Sequence, residues 1–224
     1  MKTGIRIAAT SVSGVLSFIA ILLVPAGTLH YWQAWLFIAV FTAATIVPTV
    51  YLGRTNPAAL QRRMRAGPRA EARTAQKQII TASFLCLFAT MVFSALDHRF
   101  GWSPVPAWLS VLGDVAVAAG LGLAMLVNIQ NGYAAATVTV EPGQTVVTGG
   151  LYKIVRHPMY VGNVIMMIGI PLALGSYLGL LFVIPGTVAL ALRILDEEKL
   201  LVRELPGYRE YAQHVRYRLV PSLW

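Results

Sequence analysis

The sequence predicts an all-α protein, a polytopic transmembrane bundle of about five to six membrane segments that ends in a helical hairpin. Three observations carry this. Of 224 residues, 57% are hydrophobic and 12% charged, with mean hydropathy +0.66; soluble domains carry about twice that charged fraction. The apolar residues form long uncharged runs, and the basic residues lie in the connections between them.

The elements follow in order. A helix needs about 20 apolar residues to cross the hydrocarbon. Residues 5–26 supply the first run, and no A-x-A-like site follows it to favour the competing reading of a cleavable signal peptide. Residues 31–52 supply a second, opened by the interfacial aromatics Tyr31, Trp32 and Trp35, with Pro48 expected to kink it. A polar, strongly basic stretch over 53–78 precedes a third span over 79–96. The turn DHRFGWSPVP leads to a fourth over 108–130. Residues 131–158 are too polar and Gly-rich to lie in lipid. Residues 160–195 are apolar but too long for one span at about 1.5 Å per residue, so a hairpin is expected to turn near Pro171–Tyr177. The tail is amphipathic, broken at Pro206–Gly207. Two regions result: 1–130 with four spans, and 131–224 with the hairpin and tail.

The net charge of +9 does not indicate nucleic acid, because no soluble basic domain exists. With the N-terminus inside, 17 of the 18 Lys and Arg residues, Lys2 and Arg6 among them, fall on the cytoplasmic side and only Arg99 outside. Both termini and the segments 53–78 and 131–158 then share the cytoplasmic face of a plasma membrane, bacterial in type. Cys86, the only cysteine, reads as a buried small hydrophobe. The four histidines lack metal-ligand spacing, so no metal is expected. Nothing in the sequence fixes an oligomeric state.

Two segments at that face offer chemistry. In Gly149-Gly150-Leu151-Tyr152-x-x-x-Arg156-His157-Pro158-x-Tyr160-x-Gly162, Pro158 suits the first turn of a helix. Free N–H groups there, beside Arg156 and His157, suit an anion; the bland alternative is a turn facing lipid headgroups. In Arg193-Ile-Leu-Asp196-Glu197-Glu198, Arg193 and Glu197 share a helix face, and the bland alternative is a surface ion pair with a solvated cap. Tyr208, Tyr211 and Tyr217 follow. Together, cations, carboxylates and tyrosines complement a zwitterionic amino acid joined to a cation and a planar base, a description that S-adenosylmethionine meets.

These spaced motifs, with Pro-Gly-Tyr-x-x-Tyr after them, resemble the isoprenylcysteine carboxyl methyltransferase family and its phospholipid methyltransferase relatives over residues 130–224. The resemblance implies a cytoplasmic S-adenosylmethionine pocket closed by the C-terminal segment, with a lipophilic acceptor reached from the bilayer. It implies that Gln144, Thr145, Val146 and Val147 lie along the cofactor and that Tyr152, His157, Pro158, Met159 and Tyr160 contact it. Glu197 would take the amino group, with Glu198 as the alternative if alignment slips by one. Arg193 matches the arginine that handles the substrate carboxylate, and Gln144 departs from a family histidine. Two rivals stand beside this reading. One is a membrane reductase related to sterol reductases, using a nicotinamide cofactor. The other is a small transporter or assembly protein, for which Asp114 is the sole mid-span ionisable candidate.

Overall fold

In the computed structural model, residues 2–64, 66–134 and 136–224 are described, with side chains from residue 12 onward; the side chains of Lys2 and Arg6 lie outside the described residues. The helices are α1 (Lys2–Ala26), α2 (Trp32–Thr55), α3 (Pro57–Met64), α4 (Thr74–Phe100), α5 (Ala107–Gln130), α6 (Pro158–Ala173), α7 (Val183–Glu204) and α8 (Tyr208–His214). Short 3₁₀ turns at Gly150–Lys153 and Leu178–Phe182 lead into α6 and α7. Among the described residues no strand forms, only an isolated bridge between Pro104 and Ser176.

Four helical segments, Trp32–Thr55, Thr74–Phe100, Ala107–Gln130 and Leu178–Glu204, are long and apolar enough to cross a membrane. Val12–Ala26 and Pro158–Ala173 are shorter apolar helices. The third span is longer than its apolar run, because α4 starts at Thr74 and ends in a left-handed cap at Gly101. The polar, basic stretch over 53–78 contains α3, where Asn56 accepts the Ala59 N–H at 3.0 Å. The hairpin turns over residues 174–177, as its prolines and glycines predict. The core is largely apolar, the outer faces are apolar too, and several polar side chains are kept inside rather than on those faces. Phe84 and Phe88, Trp108 and Leu112, and Ile184, Val188 and Leu192 make exposed apolar stripes. Gln76, Asp97, Asn128 and Arg193 are buried.

Two contacts position the site. The first is α5 on α6, which pack more extensively than any other helix pair. Gly113 and Gly120 on α5 meet Gly162 and Gly169 on α6, each pair seven residues apart. A Cβ on Gly120 would stand 2.4 Å from the Gly162 oxygen, and one on Gly113 2.3 Å from the Ala173 nitrogen. Only glycine permits such approach. The second is α7 on α4. Because α6 leans on α5 and α7 on α4, the two arms of the hairpin scarcely touch, and space opens between them.

Opposite ends of the bundle are pinned differently. At one end Asp97 accepts from the Ser103 N–H at 2.7 Å and the Ser176 hydroxyl at 2.5 Å, while Tyr31 donates to the Leu174 carbonyl at 2.6 Å. At the other, basic end Arg62 makes a fork to Glu141 with both bonds at 2.8 Å. Arg73 pairs with Asp196 at 2.5 Å, and Glu71 accepts the Val138 N–H at 3.2 Å. The segments 56–73, 131–149 and the end of α7 therefore share one end of the protein.

Candidate active site

Two cavities adjoin at the basic end. A polar cleft of about 110 Å³ is walled by the loop over 137–147, the start of α6, the end of α7 and α8. An apolar chamber of about 310 Å³ lies between α4, α5, α6 and α7. Ala134, Met159 and Tyr160 line both, so one thin wall separates them.

Of the residues singled out in the sequence, Gln144, Thr145, Val146, Val147, Tyr152, His157, Pro158, Met159, Tyr160 and Glu197 all line the cleft. Glu198 and Arg193 do not. Gln144 accepts the Glu141 N–H at 3.0 Å, which holds the turn at Pro142–Gly143, where Gly143 has φ +77°. Pro158 opens α6 at its first turn.

The adjacent carboxylates Glu197 and Glu198 have separate partners. Glu198 is clamped by Arg156 at 2.7 Å, Arg218 at 2.8 Å and the His157 Nε2 at 3.2 Å. The expectation that Arg156 and His157 form an open cationic site is thus corrected. Glu198 reaches them from 41–42 residues away and answers their charge. Arg156 also donates to the carbonyls of Val215 and Arg216 at 3.0 Å. The Arg156 and His157 N–H groups bond the Tyr217 and Arg218 carbonyls, so the tail is strapped over the start of α6. Glu197 instead faces the cleft and, among the described residues, accepts one bond, from the Tyr160 hydroxyl at 2.5 Å.

Arg193 is 4% exposed and lines the apolar chamber. The expectation of a surface ion pair with Glu197 is also corrected. Arg193 pairs with Glu71 at 2.8 Å and donates to Gln76 at 2.9 Å, the Ala136 carbonyl at 2.7 Å and the Tyr160 hydroxyl at 3.1 Å. Glu71 lies 122 residues away in sequence, a distance at which no periodicity announces a pairing.

Three phenols complete the cleft. Tyr152 accepts from the Asn131 amide at 3.0 Å, and Tyr211 donates to the Tyr152 carbonyl at 2.8 Å. The Tyr208 hydroxyl is buried and has no partner among the described residues. Burial pushes all three hydroxyls above the usual phenol range, so they stay neutral. Asn131 was not singled out from sequence, whereas Tyr208 and Tyr211 were named there among the tyrosines of the tail. No group of His, Cys, Asp and Glu among the described residues suits a metal. One available carboxylate, neutral aromatic faces and an unsatisfied hydroxyl can together hold an ammonium and a second, softer cation.

Comparison with known proteins adds two findings. The family model described as phospholipid methyltransferase matches residues 108–207. A delta(14)-sterol reductase of Mus musculus is 30% identical over 91 residues, which is 39% of this chain and 22% of the relative. The matched part thus spans about a fifth of that relative's length.

Proposed function

We propose, on the premise that residues 108–207 belong to the phospholipid methyltransferase family, that this integral membrane protein is an S-adenosylmethionine-dependent methyltransferase acting on a lipophilic carboxylate. The observation that carries the reading is Glu197: a carboxylate with no ion-pair partner among the described residues, bonded only by the Tyr160 hydroxyl, in a cleft of neutral tyrosines one side chain away from an apolar chamber. The donor set fits the cofactor. Glu197 would hold its ammonium, the Tyr152, Tyr208 and Tyr211 faces its sulfonium, and the orphaned Tyr208 hydroxyl one of its polar atoms. The cleft is smaller than the whole cofactor, and the wall able to give way is the loop over 137–147, which has no regular secondary structure.

S-adenosylmethionine, when bound, supplies a methyl on a positively charged sulfur. What remains for the protein is alignment in a water-poor site. Region 131–224 would serve the cofactor, while α4 and α5 of region 1–130 wall the acceptor chamber. Met159 and Tyr160 would form the partition across which acceptor and methyl meet. The chamber lining contains no Asp, Glu or His, so it offers no obvious general base. A carboxylate needs none, because it arrives deprotonated, which favours it over a thiol or amine. Arg193 would act as a positioning residue through Tyr160. The basic end would face the cytoplasm of a bacterial-type plasma membrane, by the charge asymmetry.

The reductase similarity supports a second reading, a nicotinamide-dependent reduction of a lipophilic substrate. Calorimetry on the detergent-solubilised chain separates the two. S-adenosylhomocysteine should bind, Glu197→Gln should weaken it, and NADPH should not bind. The reverse pattern installs the reductase.

A further inference from the structure

The neighbouring arginines of α3 have different surroundings. Arg62 turns outward and is answered by Glu141 at 2.8 Å. Arg63 turns inward. Its Nη1 is buried without a hydrogen-bond partner, and no salt bridge includes it among the described residues. Arg63 lines the apolar chamber at its basic end, beside Ala66 and Gly67, and also an apolar cavity of about 270 Å³ bounded by α1, α2 and α3.

Other buried or part-buried arginines have acids. Arg73 has Asp196, Arg156 and Arg218 share Glu198, and Arg193 has Glu71. Burial pulls the Arg63 guanidinium below the usual arginine range, with no acidic neighbour to oppose the shift. It remains a cation at neutral pH, since arginine begins far above it. Arg63 is half-buried, but its Nη1 is fully buried and unanswered, a costly arrangement for a cationic group, and the described chamber lining has no acid to offer. Among the described residues the other cation of that lining, Arg193, is already paired with Glu71. An anion supplied from outside the chain would remove the imbalance, provided its other end is apolar enough to lie between Phe84, Leu87, Met166 and Leu190.

We propose that Arg63 binds the anionic head of the acceptor, and that the acceptor class is therefore an amphiphile with an apolar body and a carboxylate head. This rests on the methyltransferase reading only in naming the occupant an acceptor. The anion site itself stands on Arg63 and the chamber. It gives α3 a role in choosing the substrate that residues 130–224 do not supply.

Binding of oleate and of its neutral counterpart oleyl alcohol tests this, using the full chain in a non-ionic detergent at pH 8. Wild type should hold oleate about tenfold or more tighter than the alcohol, as for one charge-assisted hydrogen bond. Arg63→Gln should abolish the preference by lowering oleate affinity alone, with S-adenosylhomocysteine affinity unchanged within about twofold. If that variant melts early, Arg63→Lys decides: the kept charge should retain a preference of reduced size. Equal affinity for both probes in wild type, or a preference that survives Arg63→Gln, overturns the proposal. A bilayer source of the anion is distinguished in nanodiscs. If phosphatidylglycerol raises the melting temperature of wild type over phosphatidylcholine but not that of Arg63→Gln, while oleate and the alcohol bind alike, Arg63 serves a structural lipid and the proposal fails. If the oleate preference holds in a protein that ignores S-adenosylhomocysteine, the anion site stands and the methyltransferase reading falls.

Discussion

The Tyr160 hydroxyl donates to Glu197 at 2.5 Å while it accepts from Arg193 at 3.1 Å. One phenol thus links the carboxylate of the cleft to the buried arginine of the chamber, and its ring lies against His157 at 5.6 Å. Tyr160→Phe keeps the ring and removes both bonds. It should cost about 1–3 kcal/mol of stability, because Arg193 loses a buried partner. S-adenosylhomocysteine affinity should also fall, as Glu197 loses its fixed orientation. Affinity equal to wild type would show that Glu197 needs no such support.

Glu197 and Glu198 should separate cleanly. Glu198→Gln dismantles a clamp on two arginines and a histidine that holds the C-terminal strap. Removing one member of a buried ion pair costs about 3–5 kcal/mol, so a large fall in melting temperature is expected. Glu197→Gln should melt near wild type but bind S-adenosylhomocysteine about 10- to 150-fold more weakly, the worth of one charged hydrogen bond. Matching effects in both variants would refute the division of roles.

The glycine contact between α5 and α6 gives a prediction with its own control. Gly120→Val needs space that the Gly162 carbonyl occupies, and overpacking of this kind costs about 1–3 kcal/mol or more. On the same helix, a Cβ on Gly122 meets nothing within 4 Å. Gly120→Val should therefore lower the melting temperature markedly and Gly122→Ala hardly at all. Comparable losses would mean that close approach to α6 is not what distinguishes Gly120, since helix propensity by itself favours alanine over glycine at both positions.

The bundle was legible in the sequence because lipid leaves few options. Apolar run length set the spans, and Pro171 with Gly175 marked the hairpin turn that the structure has at residues 174–177. The cleft was legible where its residues are neighbours in sequence, as with 144–147 and 157–160. It was not legible where partners meet across the fold. Glu71 and Gln76 lie in a stretch that reads as a basic loop, and their bonds to Arg193 span 122 and 117 residues. Gly162 entered the sequence reading only as part of a motif, whereas in the fold Gly162 and Gly169 pack against Gly120 and Gly113 with backbone in direct contact.

Orientation is open to direct measurement. Arg62–Glu141 and Arg73–Asp196 hold residues 53–78, 131–158 and the C-terminal region at one end, and the positive-inside rule would place that end in the cytoplasm. Single cysteines at Ala66, Gly143 and Ser222, each exposed, in a Cys86→Ala background should resist an impermeant thiol reagent in intact cells. They should react once the membrane is permeabilised. Labelling of all three in intact cells would invert the protein.

The pair Arg193 and Glu71 tests whether the chamber arginine serves the substrate directly. Their side chains are 5% and 1% exposed, so each is the other's main source of compensation. Arg193→Ala leaves Glu71 as a buried, unanswered carboxylate, which should cost about 3–5 kcal/mol. It also frees Tyr160, so S-adenosylhomocysteine affinity should fall with stability. Glu71→Ala should do similar damage, since Arg193 then keeps only neutral partners. The double variant removes both charges together and should melt higher than the sum of the single losses implies, by about 1–3 kcal/mol of coupling. If Arg193→Ala instead melts and binds S-adenosylhomocysteine like wild type while transfer to a carboxylate acceptor collapses, Arg193 holds the acceptor itself. A positioning role acting through Tyr160 would then be excluded.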